Sequence, residues 1–261
     1  MQITMDSGTS SDGVREQSFS LGEIPGVLWT PALDRTTANG TPDEATARAR
    51  PLIFMGHGGG QHKKAPGIVA RARRFVTECG YAVASVDVPN HGDRSQDERY
   101  AGIVAETQAR IAAGADTAPL IASFQALVSR QTVPEWRQTL DALQHLDHVG
   151  EGPVGYWGIS MGCGLGLPFV AAEPRVRAAV LGLGGASAPE ADDAARKITV
   201  PVEFLLQWDD ERIPREAGLR LFGAFGSPEK TLHANPGKHM ELPRHEVDSN
   251  VRFFRRHLGV G

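Results

Sequence analysis

Runs of apolar residues alternate with stretches in which apolar side chains recur every three or four positions, from about residue 51 to the end of the chain. "PLIFMG", "YAVASVDV", "VGYWGIS", "AAVLGLGG" and "VPVEFLLQW" are short continuous apolar runs, the pattern of strands buried on both faces. Between them, "APGIVARARRFVTECG" puts Ile68, Ala72, Phe75, Val76 and Cys79 on one helical stripe, with Gly80 as its stop. Thr132 to His148 reads as a helix opened by a capping box of Thr132 and Glu135, with Pro134 in its first turn. "MGCGLGLPFVAAE" and "PREAGLRLFGAFG" are two further helices. "KTLHANPG" is a short strand, and the last helix carries Val247, Val251, Phe254 and Leu258 on one side.

Ahead of this alternation, residues 1–17 are polar and are expected to be frayed. "SFSLGEIPGVLWTPAL" reads as two short antiparallel strands broken at Gly26, and residues 34–50 as a mobile surface loop. Strands alternating with helices imply a mostly parallel sheet covered on both faces, in one domain spanning residues 1–261. Residues 96–131 exceed the connection that a strand and its helix need. Their two apolar stripes run through Ile103, Val104 and Ile111, and through Leu120, Phe124, Leu127 and Val128. They either form a helical cap over a pocket at the carboxyl ends of the strands or pack as extra helices on the body.

Composition narrows the function. The 27 basic and 31 acidic side chains nearly balance, without a long basic block, which argues against nucleic acid or an acidic membrane as partner. Two cysteines, Cys79 and Cys163, are too few for a disulfide framework, and the first residues lack an apolar leader. A cytoplasmic protein is expected; the oligomeric state is left open.

The chemistry gathers around one serine. Gly158-Ile159-Ser160-Met161-Gly162 fits G-x-S-x-G between a strand and a helix, the nucleophile elbow. A serine becomes a nucleophile when a base takes its proton and a carboxylate fixes that base's tautomer. In this architecture the order along the chain is serine, acid, histidine. Asp209, Asp210 and Glu211 follow a buried strand, and His239 lies in a loop before the last helix. His233 falls within a strand and His245 within a helix, so both are worse placed.

With these residues the chain resembles the α/β-hydrolase family, over residues 51–258, and in particular its dienelactone-hydrolase-like and prolyl-oligopeptidase-like branches. The resemblance implies an α/β-hydrolase fold and favours Asp210 as the acid, since "DERIP" fits the branch pattern D-x-x-V-P with Ile213 in the place of valine. Dienelactone hydrolases proper carry cysteine at the elbow, where this chain has Ser160. His57-Gly58-Gly59-Gly60 looks like the oxyanion motif of esterases. Backbone N–H groups of Met161 and Gly59, with Gly60 as a substitute, are then the expected oxyanion donors, and His57 braces their loop. His57, Gly60, His91, Phe124 and Leu127 are the candidate pocket residues. His57, His62 and His91 match no zinc spacing, so neither a metal nor a cofactor is expected.

The expected function is hydrolysis of a carboxylic ester or lactone on a small acyl substrate, through an acyl-enzyme. The same residues could serve a peptidase, a thioesterase or a C–C bond hydrolase. A binding protein that kept the pocket without turnover is the alternative from another class.

Overall fold

The computed structural model describes residues 2–32, 49–115, 117–185 and 189–259. A ten-stranded sheet, antiparallel in its first part and parallel in the rest, forms the spine. The antiparallel part is β1 (Ile3–Met5), β2 (Thr9–Ser11), β3 (Val14–Leu21) and β4 (Ile24–Pro31). The parallel part is β5 (Leu52–Gly56), β6 (Ala82–Val86), β7 (Val154–Ile159), β8 (Val176–Gly182), β9 (Val202–Gln207) and β10 (Lys230–Asn235). Along the sheet the main path runs β1-β3-β4-β6-β5-β7-β8-β9-β10, with β2 beside β3. The helices are α1 (Pro66–Cys79), α2 (Glu98–Ala112), α3 (Ala118–Gln144), α4 (Met161–Ala172), α5 (Pro189–Lys197), α6 (Arg215–Ala224) and, after the last strand, α7 (His245–Leu258).

Apolar side chains leave both faces of the central strands. On one face Phe54, Tyr156 and Phe204 join α3, α4 and α5 through Trp136, Phe169 and Ala195. On the other, Ile53, Trp157 and Leu205 meet α1 and α7 through Phe75 and Phe254. This two-sided burial is why those strands read as continuous apolar runs. Among the described residues no helix is long and apolar enough to cross a membrane.

The structure departs from the sequence pattern at four places. Most of residues 1–17 are not frayed: β1 and β2 pair with β3, and Ile3 and Met5 pack against the core. The β3–β4 hairpin turns at Gly22 and Glu23, with Gly22 at φ 60°, rather than at Gly26. Gly26 lies inside β4 opposite Phe19, whose ring occupies the space a side chain would need. The helix expected from Thr132 is the second half of α3, which runs through Pro134 without a break. Val128, Trp136, Leu140 and Leu143 bury one continuous stripe, which offsets the ~3 kcal/mol that an internal proline costs a helix. Glu135 therefore caps nothing; it binds Arg94 through two hydrogen bonds. Finally, α5 was not anticipated, because "PEADDAARK" buries little beyond Ala195. Most of the loop expected at 34–50 lies outside the described residues, as does the side chain of Ile111.

Candidate active site

β7 delivers Ser160 at its carboxyl end, directly before α4. The serine holds φ 57° and ψ −122°, a backbone shape that costs of order 1–3 kcal/mol outside glycine. Its neighbours explain how the turn fits. A Cβ at Gly158 would stand 2.6 Å from the Gly162 carbonyl oxygen, and one at Gly162 would run into the Gly56 carbonyl at the end of β5. The Ser160 N–H donates to Gly182 O on β8 (2.9 Å), which ties the elbow to the adjacent strand.

Loops from three other elements converge on the serine. His239, in the loop between β10 and α7, is buried; its Nε2 lies 2.9 Å from Ser160 Oγ and its Nδ1 lies 2.7 Å from Asp210 Oδ2. An ionised carboxylate only accepts, so Nδ1 carries the proton and Nε2 is free to accept from the serine hydroxyl. Asp210 follows β9, and its other oxygen accepts the N–H groups of Arg212 and Ile213 (2.8 and 2.9 Å). Burial alone would raise the Asp210 carboxyl. The hydrogen bond and charge of His239, with the two N–H donors, outweigh it and hold the carboxyl below its ordinary value. Asp209 is exposed and faces the Gly237 backbone. Glu211 takes a role the sequence did not suggest: its carboxylate accepts the His239 backbone N–H at 2.9 Å, chiefly for which its pKa falls below the ordinary value.

The glycine loop after β5 lies across from the elbow. His57 is fully buried; its Nε2 accepts the Val88 N–H (3.2 Å), so Nδ1 carries the proton and donates to Gly58 O (2.9 Å). Desolvation pushes the pKa of His57 down to about 4, which keeps the ring neutral. Gly58 O also accepts from Gln61 N–H. In a trans peptide the carbonyl and the next N–H point in opposite directions, so the Gly59 N–H is directed away from His57. At the start of α4 the first N–H groups have no acceptor within the helix.

A cavity of about 320 Å³ opens at Ser160 and His239. The insertion supplies one wall, with Tyr100, Ile103, Phe124 and Gln125 among its residues; Leu167, Leu183 and Leu221 belong to the body. Gly59, Gly60, His91 and Met161 line it as well. His57 does not, being sealed behind the loop it braces, and Leu127 does not either. On α3, Phe124 and Val128 face inward, which leaves Leu127 45% exposed.

His91, which lines the cavity, is buried. Its Nδ1 meets Pro89 O (3.0 Å), its Nε2 meets the Tyr100 hydroxyl (2.8 Å), and burial lowers its pKa. Away from the cavity, Glu203, His233 and Glu246 form the one described group whose ligating atoms all lie within 4.8 Å of each other. These atoms are already engaged: Ser249 and Asn250 donate to Glu203, and Asn235 and His233 to Glu246.

No protein-family model matches the chain, and no curated protein matches it in sequence. Solved structures do. A cold-adapted esterase from an Arctic intertidal metagenomic library, in a PEG-bound complex, is 31% identical, with a TM-score of 0.77 over 98% of this chain and 99% of that one. An acetyl xylan esterase from a Paenibacillus species (15% identity, TM-score 0.70, 98% and 88% covered) shares the fold. So does a Pyrococcus furiosus esterase (12% identity, TM-score 0.63, 99% and 93% covered). With the full-length likeness to the Arctic enzyme, the chain belongs to the esterases of α/β-hydrolase fold and is a carboxylic ester hydrolase.

Proposed function

We propose that the chain cleaves a small carboxylic ester or lactone through an acyl-enzyme on a Ser160–His239–Asp210 triad. The observation that carries this reading is the hydrogen-bonded chain from Ser160 Oγ through His239 to Asp210, at 2.9 and 2.7 Å, opening into the cavity. Ser160 Oγ attacks the carbonyl carbon as its proton passes to His239 Nε2. Asp210 stabilises the imidazolium that forms. The N–H groups of Met161 and Gly59 bind the oxyanion, at the positive end of α4 and on the braced loop respectively. His239 then protonates the leaving alkoxide, and a water activated by the same ring releases the acyl group.

The same reading makes the chain one catalytic domain, with residues 96–131 as its cap. The wall residues that α2 and α3 contribute to the cavity support this. It also puts the chain in the dienelactone-hydrolase-like or prolyl-oligopeptidase-like branch. What supports that is the acid register, with Asp210 four residues before Pro214.

Ser160→Ala tests the mechanism. Its kcat/KM on a short p-nitrophenyl ester should fall at least roughly 10⁴-fold while Tm and circular dichroism stay near those of the parent. A fluorophosphonate should label the parent and not the variant. A folded variant with near-parental turnover would reject the mechanism.

A further inference from the structure

Four described residues other than glycine hold a positive φ: Asp12, Asn90, Ser160 and Leu183. Aspartate and asparagine tolerate this conformation, and Ser160 is the elbow. Leu183, at φ 50°, is the one large apolar side chain among them. For a branched side chain such backbone is unfavourable, and glycine would be free of the strain.

The surroundings hold Leu183 in place. Its N–H donates to Leu205 O on β9 (2.9 Å), and the preceding carbonyl, Gly182 O, accepts the Ser160 N–H. The next two residues are glycines pressed onto helices. A Cβ at Gly184 would lie 2.7 Å from Cys163 Sγ on α4, and one at Gly185 would lie 2.9 Å from Ala217 Cβ on α6. All three residues line the cavity, so in this stretch Leu183 is the side chain that can give it bulk. The leucine is 96% buried, counted from its 4% exposure, one residue beyond the strand end bonded to the nucleophile's backbone. The lining that α2 and α3 supply includes the apolar Ile103, Val104, Ile121 and Phe124 beside the polar Thr107, Gln108 and Gln125.

We propose that Leu183 is a specificity-determining residue: its side chain ends the apolar part of the cavity and limits the length of the acyl chain carried on Ser160. This rests on the acyl-enzyme reading above. The backbone strain at Leu183 then has a use, since it aims an isobutyl group into the cavity that glycine could not supply. At about 320 Å³ the cavity lies at the small end of the roughly 300–1,000 Å³ range of ligand pockets, in keeping with a small acyl group.

The test compares Leu183→Ala, Leu183→Gly and Leu183→Phe with the parent on p-nitrophenyl esters of increasing acyl length. A second series varies the alcohol of an acetate ester. The two small variants should raise the long-to-short acyl ratio of kcat/KM by about tenfold or more, and Leu183→Phe should lower it, because even one methylene in an apolar pocket is worth roughly 10–200-fold. The alcohol series should keep its order. Labelling by a small fluorophosphonate, read per folded molecule, separates the two readings. If the parent fails to label at Ser160, the acyl-enzyme mechanism falls. If labelling is normal and the acyl ratio is unchanged, or the shift appears only in the alcohol series, the Leu183 proposal falls alone. A structural role alone would change Tm in these variants and leave the ratio where it was.

Discussion

Two adjacent aspartates follow β9, and their side chains have different fates. The Asp210 carboxylate is 3% exposed and receives three hydrogen bonds, one of them from His239. Asp209 lies in solvent, with a single long bond of 3.4 Å from Gly237 N–H. Replacing Asp210 by asparagine puts a neutral amide against His239 Nδ1 and removes the charge that stabilises the imidazolium. Its amide nitrogen can also face Nδ1 and favour the wrong tautomer, a fault that costs about 10⁴ in kcat in a comparable triad. Asp210→Asn should therefore lose roughly 10³–10⁴ in kcat, and Asp209→Asn less than about threefold. Equal losses in the two variants, measured on one ester at saturation, would contradict the assignment. The sequence offered both aspartates and the adjacent glutamate; the D-x-x-V-P register singled out Asp210. The bond from the His239 backbone to Glu211 had no sequence signal, because it joins loops 28 residues apart.

At the scale of elements, the glycine loop is held by a side chain that never enters the cavity. His57 bonds Val88 on one side and Gly58 on the other, which fixes the peptide that carries the Gly59 N–H. If His57 is a positioning residue for the oxyanion loop, His57→Ala should lower kcat by about 10–10³-fold and leave KM within a few-fold, since the lost contact is made in the transition state. His57→Asn keeps a donor for Gly58 O and should recover part of the loss. A purely structural histidine would lower Tm without altering kcat per labelled site. The elements themselves were legible where burial is two-sided or periodic, as in β5, β7 and α1. They were less legible where a distant partner decides. Phe19 covers Gly26 from the neighbouring strand, so the glycine that looked like a break continues one. Along α3 a continuous buried stripe overrides a proline that local rules place at a helix start. On α7 the buried face includes Glu246, Ser249 and Asn250, which meet Glu203, His233 and Asn235. Hydrophobic periodicity cannot see such a face.

At the scale of the molecule, the two loops beside the site are joined by one buried ion pair. Asp87, at the end of β6 and fully buried, accepts the backbone N–H and the ammonium of Lys63 (2.8 and 2.6 Å) and the N–H of Asp93 (2.9 Å). Gly92 makes this possible, because a Cβ there would run into the Asp87 carboxylate. The pair thereby links the glycine loop after β5 to the loop that leads into the insertion. Burial would raise the Asp87 carboxyl, but the Asp93 N–H and Lys63 outweigh it and hold its pKa below the ordinary value. Burial would also lower that of Lys63, yet the two aspartates hold it above its own. Because the Asp87 pKa is depressed in the folded state, its stabilisation is present above the unfolded value of about 3.9 and disappears as pH falls through the lower, folded value. For Lys63 the sign reverses: its share is complete below about pH 10.4 and is lost as pH rises through the raised folded value. Asp87→Asn leaves the nearly buried Lys63 ammonium with the largely exposed Asp93 carboxylate as its charged partner (2.5 Å), so it should cost up to about 3–5 kcal/mol at neutral pH. Asp93→Asn, whose carboxylate is largely exposed, should cost less than about 1 kcal/mol. Urea unfolding across pH should show the gap between the parent and Asp87→Asn constant between about pH 5 and 9 and closing below about pH 4. A gap that persisted undiminished at pH 3, or that never appeared at neutral pH, would mean that the pair does not hold the two loops together.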